Sequence, residues 1–79
     1  TRVELEHIPV HQGLVDLIAL DRALEALDAD RPACAKVVAL RVLGGMTVAE
    51  IAEWLEVSPS TVKREWRIGR AFLVSELAL

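Results

Sequence analysis

The chain has 79 residues, 53% of them hydrophobic and 27% charged, which fits one small globular domain, excludes the disordered and fibrous classes, and leaves little room for an elaborate active site. Its one cysteine, Cys34, rules out an internal disulfide framework, and two histidines with one cysteine are too few for a closed zinc site of the usual kind, so neither metal nor cofactor is expected and a reducing, cytoplasmic setting is the default. The apolar runs are broken by Asp16 and Arg41 before they approach the roughly 18 residues of a membrane span, so no membrane partner is expected.

A net charge of −3 speaks at first against a nucleic-acid partner. The average hides a gradient. Residues 1–57 carry ten acids against five bases, whereas residues 58–79 carry Lys63, Arg64, Arg67 and Arg70 against Glu65 and Glu76. The positive charge is local, so any contact with an acidic partner is expected to be local as well.

In chain order, residues 1–13 contain Pro9 and Gly13 and place Val3, Leu5, Ile8 and Val10 too irregularly for a helical stripe, so they read as a linker or extended arm. His7 and His11 have helical metal-ligand spacing, but Pro9 lies between them and no third ligand is near. The start at Thr1, without a methionine, leads to the expectation of a piece of a longer protein. From Leu14 the helical period is clear: Leu17, Leu20, Leu24 and Leu27 form an inward stripe, with Asp16, Asp21, Glu25 and Asp28 facing away, which predicts a first helix over 14–29. Asp30-Arg31-Pro32 breaks and restarts the chain, since proline suits the first turn of a helix. The second helix is predicted over 32–43, closed by Gly44-Gly45, with Cys34 as an inert small hydrophobe.

Thr47 with Glu50 three residues later forms a capping box, with Met46 placed to staple onto Ile51, which predicts a third helix over 48–55. Ser58 is the next strong cap and Pro59 the first position of a fourth helix that runs to Leu77. Only Glu56 and Val57 separate the two helices. So short a turn sets them at a steep angle, with Ile51, Ala52, Leu55, Val57, Val62 and Trp66 converging on a small core. The predicted fold is all-α: a four-helix helix-turn-helix domain over 14–79 behind an extended N-terminal arm.

On a wheel of 100° per residue, Trp66, Gly69, Leu73 and Leu77 fall within about 60° of Val62, and Ser60, Lys63, Arg64, Arg67 and Arg70 form a contiguous face turned away from that stripe. A basic face near the start of a helix presented by a tight turn can enter the major groove, where arginine and lysine bind guanine O6 and N7 or the phosphates. Thr47 and Thr61 are placed to offer hydroxyl and backbone N–H groups to phosphates, with helix capping the competing role for Thr47. Trp66 is assigned to packing. Trp54 either covers the first helix or belongs to a partner surface, and Ile68 and Phe72 are expected to pack against the first or second helix. Glu50 and Glu53 lack a nucleophile or cleft, so no catalytic residues are assigned and no enzyme is expected.

The stretch from Leu20 to Leu77, which includes VVALRVLGGMTVAEIAEWLEVSPSTVKREWRIGRAFL, resembles region 4 of bacterial sigma factors, particularly the extracytoplasmic-function group. The resemblance implies recognition of the −35 promoter element in double-stranded DNA, with the domain held on RNA polymerase through the beta-subunit flap. An anti-sigma factor, where one exists, is a second protein partner it implies. It also implies a preceding domain that melts the −10 element, with residues 1–13 as the end of the connecting linker. Carried over position by position, Ser60, Lys63, Arg64 and Arg67 look like base-facing residues, and Arg41, Thr47, Thr61 and Arg70 like phosphate contacts. Two positions depart from the family pattern: Glu56 stands where a turn glycine is usual, and Arg31 where an acidic cap is usual. A LuxR-type response-regulator output domain shares the helical plan but opens its second helix differently. A helical protein-interaction module using Trp54, Ile68 and Phe72 is the alternative from another class.

Overall fold

The computed structural model describes residues 13–77, with only the backbone described for 13–16. The expected arm, its His7–His11 pair and the boundary at residue 13 therefore lie outside the described residues or at their edge. Four helices follow in chain order: α1 Gly13–Asp30, α2 Pro32–Val42, α3 Val48–Leu55 and α4 Pro59–Leu77. No strand occurs among the described residues, and the fold is all-α.

The local signals act where the sequence places them. Pro32 occupies the first turn of α2, and Arg31 before it makes no side-chain cap, so α2 begins on backbone bonding alone. Helix α2 stops one residue short of the expected end, with Leu43 as its cap. The two glycines then do different work. Gly45 has φ 67, the left-handed conformation glycine adopts freely, while a Cβ on Gly44 would come within 2.7 Å of the Leu40 carbonyl oxygen. The Met46 N–H donates to that same carbonyl at 3.1 Å, which folds the chain back towards α3.

Both halves of the Thr47 capping box are present, with the Glu50 N–H donating to Thr47 Oγ1 at 3.1 Å and the Thr47 N–H donating to Glu50 Oε1 at 2.8 Å. Helix α3 ends in a Schellman-type turn: the Glu56 N–H donates to the Glu53 carbonyl and the Val57 N–H to the Ala52 carbonyl. This geometry forces Glu56 to φ 58, ψ 46, so the family's usual glycine is replaced by a residue that carries the strain. Val57, expected in the core, is 40% exposed. The reversal engages its backbone and leaves its side chain outside.

Two clusters make up the core. Leu20, Ala23 and Leu27 of α1 pack with Cys34, Ala35 and Val38 of α2 and Leu73 of α4, with Ile68 and Phe72 joining from α4. Val37, Ile51, Ala52 and Val62 form the second, joined by Met46 and Leu55. Trp66 packs against both clusters and ties the helix-turn-helix to the α1–α2 layer. At Gly69 α4 lies tightly against α2: a Cβ there would lie 2.2 Å from Val38 Cγ2 and 3.0 Å from Cys34 Sγ. One expectation fails at the start of α1, where Leu17 is 56% exposed although it continues the leucine stripe. The core contacts of α1 begin at Leu20, and neither α2 nor α4 buries Leu17. Among the described residues no helix is long and apolar enough to cross a membrane.

Candidate nucleic-acid interface

Helix α4 is held at its start by Ser58, whose hydroxyl oxygen accepts the Thr61 N–H at 3.1 Å and lies 2.9 Å from the Thr61 hydroxyl. It is held in its middle by Cys34, whose buried S–H donates to the Glu65 carbonyl at 3.1 Å. Burial, then the nearby Glu65 carboxylate, push the thiol above its ordinary pKa, with Arg31 opposing them, so the group that pins α4 stays a neutral donor. Val62, Gly69 and Leu73 point into the core from this fixed helix. Ser60, Lys63, Arg64, Arg67 and Arg70 are exposed on the opposite side, as their spacing predicts.

An open groove of about 500 Å³ runs along this face, lined by Lys63, Trp66, Arg67, Arg70 and Ala71. Arg64 is not among the lining residues, and its guanidinium lies 3.5 Å from the Glu65 carboxylate. The four cationic side chains therefore sit on one helix, where their positive potentials add. Such a face can bind phosphates by charge and base edges by the fixed fork of arginine.

Arg41 occupies a different setting from the exposed bases. It is half-buried, with Nη1 donating to the Met46 carbonyl at 3.0 Å and the guanidinium 5.7 Å from the centroid of the Trp66 ring. That distance is within cation–π range. Its Nε is buried with no acceptor among the described residues. Arg41 thus joins the turn after α2 to the middle of α4, a contact between positions 25 apart that no local spacing announces. The ion pair of Arg64 with Glu65 also escaped the sequence reading, because adjacent helical positions ordinarily diverge by about 100°.

The threonines are more committed than their sequence placement suggests. The Thr47 N–H is taken by Glu50 and the Thr61 N–H by Ser58, so neither backbone donor is left for a phosphate. A helix terminus satisfies its orphan donors with its own cap first, and both N–H groups are engaged in this way. The hydroxyls are engaged in the same caps, Thr47 Oγ1 accepting the Glu50 N–H and the Thr61 hydroxyl lying 2.9 Å from that of Ser58. Trp54 is 71% exposed and does not cover α1. No group of three or more His, Cys, Asp or Glu among the described residues is arranged to hold a metal ion.

A short α3, a strained three-residue turn and a long α4 that carries an exposed basic face define a helix-turn-helix DNA-binding domain. The family model for ECF sigma factors matches residues 4–79, nearly the whole chain, and the chain belongs to that family. It is a DNA-binding protein of transcription initiation that works with RNA polymerase and promoter DNA, and its four helices are consistent with region 4 of such a factor. The family places it apart from the LuxR-type output domains. No curated protein and no solved structure matched the chain.

Proposed function

We propose that residues 14–79 recognise the −35 promoter element through α4, with residues 1–13 as the linker from a preceding domain and the beta-subunit flap of RNA polymerase as the docking partner. Ser60, Lys63, Arg64 and Arg67 face the bases in this reading. Arg41, Arg70 and the hydroxyls of Thr47 and Thr61 meet the phosphates. The domain acts by binding alone, in the cytoplasm, and an anti-sigma factor would act by competing for these surfaces. The observation that carries the reading is the segregation on α4 of an exposed basic face from the buried Val62, Gly69 and Leu73.

The face supplies about three to five cationic contacts, and each released counterion contributes about −0.9 to the slope of log affinity against log salt. A fluorescence titration with promoter-like and scrambled duplexes at low salt should therefore give a slope between about −2.7 and −4.5 and a preference for the promoter-like duplex. The net charge of −3 opposes long-range association, so affinity should rise steeply when polymerase supplies effective concentration. Affinity independent of salt, or no binding to either duplex, would sink the proposal and favour the protein-interaction alternative with exposed Trp54 at its centre.

A further inference from the structure

The base-facing reading of α4 leaves one acidic residue unexplained. Glu65 stands between Arg64 and Trp66 within a basic helix, where a carboxylate repels the DNA backbone the helix must approach. Its surroundings are fixed. The carbonyl of residue 65 accepts the buried Cys34 S–H at 3.1 Å, and the Glu65 side chain is only 16% exposed, while that of its partner Arg64 is 64% exposed. Adjacent positions on a helix ordinarily diverge, yet here Arg64 Nη2 lies 3.5 Å from Glu65 Oε2. Of the two side chains, that of Glu65 is the more enclosed.

We infer that Glu65 is a specificity-determining positioning residue: by pairing with Arg64 it cancels the charge that would bind any phosphate, and it leaves guanidinium N–H donors for a base edge. The inference rests on the reading that Arg64 faces a base. A guanidinium has five N–H donors, and the carboxylate engages it through one nitrogen. A phosphate oxygen brought to Arg64 meets a neutralised pair and a repelling carboxylate. Guanine O6 and N7 are acceptors without net charge, so they gain the remaining donors and meet little of that repulsion. Glu65 therefore lowers binding to arbitrary DNA more than binding to the matching site, and the ratio of the two is what it raises.

The test uses the 79-residue chain, a duplex selected from a randomised pool by the unaltered chain, and a scrambled duplex of the same composition, with affinities read by fluorescence anisotropy at low salt. Glu65→Gln should tighten binding to the scrambled duplex about five-fold, the scale of one exposed ion pair, and steepen its salt slope by about 0.9 as Arg64 becomes a phosphate ligand. Affinity for the selected duplex should change much less, so the discrimination ratio falls several-fold. The control Glu76→Gln, which removes an exposed carboxylate further along α4, should shift both duplexes alike. In an Arg64→Ala background, Glu65→Gln should leave the ratio unchanged. The inference is overturned if Glu65→Gln spares the ratio while Arg64→Ala lowers it, or if Glu65→Gln lowers it equally in both backgrounds. A ratio untouched by Arg64→Ala overturns the base-facing assignment of Arg64 itself, and the role of Glu65 with it.

Discussion

Trp66→Ala should abolish DNA binding by unfolding the domain. The indole packs against both core clusters, so its removal opens a void where α4 meets the α1–α2 layer as well as where it meets α3. Truncating a buried aromatic costs about 3–5 kcal/mol. Trp66 is only half-buried, which favours the lower end, but Arg41 stacks 5.7 Å from its centroid and loses a cation–π contact of about 1 kcal/mol. A domain of this length has about 4–12 kcal/mol by the usual per-residue stability, and about 3–5 kcal/mol where a single small core supplies it. The loss is thus most or all of the total. Circular dichroism should show a collapsed melting transition and reduced helicity at 25 °C. Trp66→Phe should keep the fold, and Trp54→Phe makes Trp66 the sole fluorescent reporter of that core. Arg64→Ala supplies the contrast, with a melting temperature nearly unchanged and affinity lowered by about 1–3 kcal/mol at one base position. A Trp66→Ala protein with full helicity and an unchanged melting temperature that no longer binds DNA would identify the indole as a contact residue and rotate the DNA face towards the core stripe.

Arg70→Ala, nearly two turns beyond Arg64, should weaken binding to all sequences about equally and flatten the salt slope by about one unit, and altered base preference would show that α4 lies in the groove differently. Glu56→Gly should stabilise the domain by about 1 kcal/mol, or about 4–8 °C in melting temperature, by releasing the left-handed strain at φ 58, whereas Glu56→Ala removes the charge and keeps the strain; equal stability of the two variants would refute the strain argument. Gly69→Ala should destabilise by about 1–3 kcal/mol because the new methyl meets Val38 and Cys34, and Val38→Ala added to it should recover part of the loss; a tolerated Gly69→Ala would show that α2 and α4 separate easily. Native Cys34 should resist an aromatic disulfide reagent at the rate set by unfolding. Since its folded pKa is raised, the stability it contributes is whole below the unfolded thiol's pKa of about 8.5 and declines as pH rises beyond it, which urea titrations at pH 7 and pH 10 would detect.

The sequence determined whatever depends on neighbours along the chain. Proline at a first turn, a threonine–glutamate pair three apart and a serine before proline fix helix ends through backbone valences that only nearby groups can satisfy, so α3 and α4 run over the residues their caps predict. The basic face of α4 was legible for the same reason, since helical periodicity alone assigns residues to sides. Even the strain at Glu56 was visible as a residue standing where a glycine is usual. Tertiary structure decided what depends on distant partners. Leu17 follows the leucine period and is still exposed, because burial needs a facing helix and neither α2 nor α4 covers that turn. Arg41 carries the same formal charge as Arg67, yet packing against Trp66 and the Met46 carbonyl makes it a half-buried strut where Arg67 is an exposed cation on the face. The Cys34 thiol anchors α4 across 31 residues, a contact that rests on how two helices cross. Local rules set which side of α4 is basic; the crossing of α2, α3 and α4 sets how firmly, and at what angle, that side is presented.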